Sequence, residues 1–179
     1  EGQALAARDV KVRSAMQQAA KEEVVHLVWC RKRLQELDTH PSVLDPIFFA
    51  TSCALGALAG ALGDRVSLGF IAATEDQVVE HLDRHIDQLP QGDGRSRAIL
   101  ARMREDELRH GTSAEKAGGL PFPMPLRRLM TSFSRIMTET TPGFKTKPAC
   151  RLFFDGPFSV VFYLLSKHSF HNGARETRS

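Results

Sequence analysis

The sequence predicts an all-α bundle. Apolar residues return every three or four positions through several long stretches, no segment alternates as a strand does, and each stretch is bounded by helix caps or breakers rather than hairpin turns. With 179 residues and 42% hydrophobic content, the chain suits one compact domain with a sizeable core, with or without a tail, and is short for a two-domain enzyme. Its 24 basic and 21 acidic residues give +3 and are mixed along the chain, which argues against a nucleic-acid partner. Cys30, Cys53 and Cys150 share no metal-type spacing and leave an odd thiol, so neither a disulfide framework nor a thiolate zinc site is expected, and a reducing compartment is.

The first residues, from Glu1, read like the inside of a helix and lack the sections of a signal peptide, so the chain is expected to be cut rather than targeted. Asp9 is a good N-cap for one long helix from Val10 to Leu37, with Val12, Met16, Ala19, Leu27, Cys30 and Leu34 at helical spacing. Asp45 and Pro46 start another helix, since proline at the first helical position lacks only an N–H that would be unpaired anyway. The run from Pro46 to Gly63 carries no charge. After Asp64 and Arg65, helical spacing resumes from Val66 to about Leu89, and Pro90 and Gly92 make a turn. A further helix runs from about Arg95 to Lys116 and stops at Gly118 and Gly119. A loop with Pro121, Pro123 and Pro125 leads to a shorter helix ending near Thr138.

Composition breaks near residue 140. Residues 141–179 hold six of the eleven phenylalanines and the only tyrosine, and their six basic and two acidic residues give +4, leaving −1 for residues 1–140. The domain is therefore expected over 1–140, with 141–179 an atypical, poorly ordered tail interrupted by Pro142, Pro148 and Pro157.

Two places share one pattern: Glu22, Glu23, two residues, His26; and Asp106, Glu107, two residues, His110. Eleven glutamates and seven histidines in 179 residues would give roughly 0.4 Glu-x-x-His pairs by chance, against the two present. Residues three apart on a helix can aim a carboxylate and an imidazole at one point. Glu23 shares its stripe with Met16, Leu27 and Leu34, Glu107 with Leu100, Met103, Gly111 and Ala114, and Glu75 sits among Leu68, Ile71, Val78, Val79 and Leu82. A carboxylate buried on an apolar face must take up a proton or find a cation, and three on three helices point to a shared cation. Oxygen and imidazole donors without thiolate favour iron or manganese over structural zinc. Ferritin-like di-iron bundles use one Glu from each of two helices and Glu-x-x-His from each of the other two. Both Glu-x-x-His elements and one single Glu are present. Glu75 precedes Glu107 by 32 residues, and the same interval before Glu23 puts the fourth Glu upstream of residue 1; Glu1 lies roughly 15 Å of helix from that place and is no substitute.

The runs KEEVVHLVW, LGDRVSLGFIAATEDQVVEHLDRHI and DGRSRAILARMREDELRHG resemble the demethoxyubiquinone hydroxylase family of ubiquinone biosynthesis, in its bacterial form, over roughly residues 2 to 140. That resemblance implies a ferritin-like four-helix bundle with an additional apolar membrane-associating helix. It implies two iron ions held by Glu23, His26, Glu75, Glu107 and His110, with the first ligand helix surviving only as residues 1 to 7. The implied reaction is hydroxylation of the demethoxyubiquinol ring with O2, on a polyprenyl benzoquinol. The implied setting is the cytoplasmic face of the bacterial inner membrane, or the mitochondrial inner membrane in a eukaryote, with self-association or a ubiquinone-biosynthesis complex as the partner.

Glu22 and Asp106 each lie four residues before a ligand histidine; solvated acids are the preferred reading, hydrogen bonding around the site the alternative. His81 and His85 are one turn apart and are expected to be a wet, weakly interacting pair, with a substrate-side role for His81 left open by the resemblance. Trp29 and Met103 are expected in the core. The run 46–63 is about 27 Å long as a helix, short for a bilayer, and is expected to lie in the membrane surface, ahead of a buried or a spanning helix. Gly56 and Gly60 form a small-residue face suited to close packing. A soluble ferroxidase or peroxide-handling di-iron protein is a rival disfavoured by that apolar run; a metal-free lipid- or quinone-binding scaffold is another, which iron content separates from both enzymes.

Overall fold

A computed structural model describes residues 2–38 and 45–139, and among these every regular element is a helix. The order is α1 (Gly2–Ala6), α2 (Val10–Glu36), α3 (Asp45–Ala61), α4 (Asp64–Gln88), α5 (Gly94–Lys116) and α6 (Met124–Glu139). The expected tail, 141–179, lies outside the described residues.

The caps explain the boundaries. The Asp9 carboxylate accepts hydrogen bonds from the N–H groups of Lys11 and Val12, two of the donors that a helix start leaves unpaired. Asp38, at φ 55°, turns the chain out of α2. Asp93 caps α5 by accepting from the Ser96 N–H. At the other end of α5, Gly118 takes φ 94°, its N–H bonds to the Glu115 carbonyl and the next N–H, of Gly119, to that of Ala114; this paired closure needs a residue tolerant of the left-handed region.

Helices α4 and α5 form an antiparallel hairpin, and α2 packs against α5 in the opposite sense, Arg33 near its end reaching Asp93 and the Ser96 hydroxyl at 2.9 and 2.8 Å. The Arg97 guanidinium donates to the carbonyls of Ile86 and Leu89, satisfying acceptors left open at the end of α4. Asp64, at the start of α4, accepts from the backbone N–H groups of Arg8 and Asp9, fixing the α1–α2 corner to the α3–α4 corner. Gly69 lets the loop after α5 lie directly on α4: a Cβ there would fall 2.1 Å from the Leu120 carbonyl oxygen, and the Leu120 N–H bonds to the Arg65 carbonyl at 2.8 Å.

Two apolar clusters fill the interior. One gathers Leu27, Val78, Leu82, Leu89, Leu100 and Met103; the other gathers Ala4, Ala7, Met16, Leu68, Ala72 and Ala114. Met103 is buried as expected, whereas Trp29 is only partly buried and also lines a surface cleft. The apolar run does form a helix, α3. Its Gly60 packs on α1, where a Cβ would meet that of Ala6 at 2.6 Å, while Leu55, Leu58 and Leu62 of the same run remain exposed. Among the described residues no helix is long and apolar enough to cross a membrane.

Candidate metal centre

Between the two apolar clusters the helices turn polar residues inward. Glu23 and His26 come from α2, Glu75 from α4, Glu107 and His110 from α5. One ligand atom from each of Glu23, Glu75, Glu107 and His110 lies within 4.8 Å of the others. His26 adjoins this group, its Nδ1 3.3 Å from Glu107 Oε1 and 3.5 Å from Glu23 Oε2. His110 Nδ1 faces Glu107 Oε2 at 3.3 Å and Glu23 Oε1 at 3.6 Å. Gly111 permits the approach of α5 to α4 here, since a Cβ on it would sit 3.3 Å from that of Glu75.

Both imidazoles therefore point Nδ1 at the carboxylates, and the opposite ring nitrogen is held from behind. His26 Nε2 donates to Asp106 Oδ2 at 3.0 Å, and His110 Nε2 to Glu22 Oε2 at 2.8 Å. The acids cross over: the one preceding His26 serves His110, and the one preceding His110 serves His26. Arg109 bridges them, bonding Asp106 Oδ1 at 2.7 Å and Glu22 Oε2 at 2.5 Å. The reading of Asp106 and Glu22 as solvated acids is thus corrected. Asp106 is 4% exposed, and Glu22 keeps part of its surface in water but spends an oxygen on His110. Sequence reasoning missed Arg109, whose only signal was its place directly before His110.

The electrostatics follow from this crowding. Burial works against a proton on His26, but the Glu107, Glu23 and Asp106 carboxylates push its pKa up to about 10. Burial likewise opposes charge on His110, and Glu107, Glu23 and Glu22 push it up to about 10. Burial, then the charges of Glu107 and Glu23, raises Glu75 well above the usual carboxylate range. Burial would raise Glu107 too, yet the hydrogen bonds of His110, His26 and Glu75 hold it below that range. Protons thus stand where positive charge is wanted. Both oxygens of Glu23 and Oε1 of Glu107 are buried without a well-formed hydrogen bond, a costly arrangement that a cation relieves. The donor set, carboxylate oxygen with imidazole nitrogen, fits iron.

His81 and His85 do not join the cluster. They are buried rather than wet, with ring centroids 3.9 Å apart, because the face of α4 that carries them packs into the bundle. Burial first, then the neighbouring His85 and Arg84, lowers His81 to about 3, so it is neutral at ordinary pH. Cys30, against Met103 and near Glu23, has its thiol pushed up by burial and stays protonated.

Residues 1–141 match the family model of the ubiquinone biosynthesis protein COQ7. The chain belongs to the COQ7 family. Among curated relatives, 3-demethoxyubiquinol 3-hydroxylase of Stutzerimonas stutzeri (strain A1501) is 57% identical over 141 residues, 79% of this chain. The proteins of the same name from Ectopseudomonas mendocina (strain ymp) and Ralstonia pickettii (strain 12J) are each 55% identical, over 141 and 138 residues, 79% and 77% of this chain. The matched stretch spans 66% of the length of the first two relatives and 64% of the third. No solved structure matches the chain. COQ7 membership bears out the resemblance drawn from the three sequence runs.

Proposed function

We propose that this COQ7-family chain is the catalytic body of a di-iron 3-demethoxyubiquinol hydroxylase, placing oxygen from O2 on the open position of a polyprenyl benzoquinol ring. The observation that carries the reading is the convergence of Glu23, Glu75, Glu107 and His110 within 4.8 Å, with His26 beside them. The names of the relatives agree with it.

Glu23, His26, Glu75, Glu107 and His110 would hold two irons, which supply the electron transfer that dioxygen activation requires. The residues' own part is positional and electrostatic. Asp106 and Glu22 fix each imidazole with its Nε2–H turned outward and the Nδ1 lone pair turned in, the tautomer a ligand needs. The three carboxylates would offset most, though not all, of the charge of two iron(II) ions, which the apolar clusters could not solvate. Leu27, Val78, Leu82 and Met103 in one apolar cluster and Met16, Leu68 and Ala72 in the other would limit the access of water to the ligand residues.

The exposed Leu55, Leu58 and Leu62 support peripheral membrane contact through residues 46–63, at the inner-membrane surface where an apolar quinol tail dissolves. Leu126, Leu129 and Phe133 of α6 are exposed as well and add apolar surface beside Arg127 and Arg128. A homo-oligomer or a ubiquinone-biosynthesis complex is the assembly in which this surface would serve. Iron content and demethoxyubiquinol turnover in vesicles test the proposal: metal-dependent formation of the hydroxylated quinol is expected, and an iron-free chain with undiminished stability would leave only the scaffold reading.

A further inference from the structure

The two ligand histidines are not held alike. The His26 side chain is 1% exposed, has the Trp29 ring beside it at a centroid distance of 5.6 Å, and donates to Asp106. Asp106 is itself walled in. Its side chain is 6% exposed, and its Oδ1 takes two guanidinium groups, Arg109 at 2.7 Å and Arg102 at 3.1 Å. His110 donates instead to Glu22, whose side chain is 30% exposed.

A carboxylate with that much water around it gains hydration and rotamer freedom by leaving the imidazole, so something must hold it there. Gln18 donates to Glu22 Oε1 at 3.0 Å, but it sits one turn away on the same helix and can follow Glu22 outward. Arg109 sits on α5 with His110, and its Nη2 bonds Oε2, the oxygen that His110 uses. Its other terminal nitrogen, Nη1, is fixed on the buried Asp106. A guanidinium is a rigid planar fork, so the position of one acid sets the position of the other.

We propose that Arg109 is a positioning residue of the metal centre: anchored on Asp106, its guanidinium holds the Glu22 carboxylate against His110 Nε2, so that its loss frees the His110 side of the site and leaves the His26 side in place. This rests on the di-iron reading above. Asp106 keeps Arg102 when Arg109 is removed, whereas Glu22 keeps only Gln18 and water beside His110. At 50% exposure the ion pairs of Arg109 add little to folding stability. The effect therefore belongs to metal binding, and the melting temperature of metal-stripped protein should scarcely move.

The test uses the full chain, with iron(II) for affinity against a competing chelator and zinc(II), a diamagnetic stand-in, for NMR spectra of the imidazole rings. In zinc-loaded wild type the Nε2–H protons of His26 and His110 are expected to be sheltered from exchange with water. Arg109→Met is expected to weaken iron binding about tenfold, the low end for removing a partner behind a ligand, and to erase the sheltered His110 signal while that of His26 stays. Glu22→Ala should match it in both readouts, and the two changes combined should lose little more than either alone. Arg102→Gln, which takes a cation from Asp106 and nothing from Glu22, should weaken iron binding far less. Wild-type affinity in Arg109→Met, loss of the His26 signal in place of the His110 signal, additive losses in the double variant, or an equal loss in Arg102→Gln would each overturn the role. Should Arg109→Met not fold, Arg109→Gln takes its place under the same criteria. A wild-type chain that binds zinc but no iron removes the hydroxylase reading and leaves the role of Arg109 to the spectra, which separates the two failures.

Discussion

Asp106 on α5 and His26 on α2 are 80 residues apart in sequence and joined by a buried 3.0 Å hydrogen bond. The bond turns one face of the imidazole toward Glu107 and Glu23 and fixes which nitrogen carries the proton. Replacing Asp106 with Ala should therefore weaken iron binding by about 10- to 100-fold, the usual effect of removing such a partner. Glu22→Gln should do less, since Glu22 is partly in water and an amide still accepts from His110. Iron titration with a competing chelator checks both, and equal affinities in wild type and Asp106→Ala would show that the bond is incidental.

Glu107→Ala should abolish demethoxyubiquinol hydroxylation and lower iron occupancy together, because it removes a carboxylate that faces both histidines. Glu80→Ala, on the exposed side of α4, should keep both. Helix content should survive in each, alanine being the better helix former. An inactive Glu80→Ala enzyme with full iron would show that the ligand faces are misassigned.

The pH response of metal-stripped protein has a definite sign. His26 and His110 have folded pKa values of about 10 against an ordinary 6.5, so their contribution is fully present below pH 6.5 and is lost as pH rises toward 10. Glu22, held at about 2 against 4.5 by its hydrogen bond from Gln18 in the face of some burial and then by those from His110 and Arg109, acts oppositely and is lost below pH 4.5. Melting temperature should peak between these limits. Iron must displace the protons, so its affinity should rise with pH through the range where the stripped protein weakens. A flat melting curve from pH 6.5 to 10 would contradict the assignment.

Gly69→Ala should destabilise the protein by about 1–3 kcal/mol, as overpacking does, although helix propensity alone favours alanine by about 1 kcal/mol. The added Cβ has the Leu120 carbonyl at 2.1 Å, and backbone cannot swing aside as a side chain can. Thermal melts decide the sign, and a more stable Gly69→Ala protein would mean that the loop after α5 is loosely held.

Leu58→Glu should cut binding to anionic vesicles while leaving iron content intact, since Leu58 is 59% exposed and belongs to neither apolar cluster. Flotation assays measure it. Unchanged flotation would move the contact to α6.

Helix positions were legible because their stops are local chemistry: the Asp9 cap, Gly63 before Asp64, Pro90 and the Gly118–Gly119 pair act within a few residues of themselves. The helices nonetheless differ by a residue or two at most ends, α4 starting at Asp64 rather than Val66. Glu23, Glu75 and Glu107 were legible because a carboxylate on an apolar stripe is an anomaly on its own helix. Asp106 and Glu22 were not, since their partners lie on another helix and the exchange between the two motifs exists only once α2 and α5 pack antiparallel. His81 and His85 were misjudged for a related reason: periodicity locates a helical face but not whether another helix covers it.

Trp29 is the single tryptophan of the chain, and its ring lies 5.6 Å from His26. Tryptophan emission from this protein therefore comes from one position, beside one end of the ligand cluster. Iron bound at His26 as proposed should quench that light at close range, whereas an event far from the cluster should scarcely touch it. In the purified protein the chain carries its own optical gauge of metal loading, readable without a dye or a label.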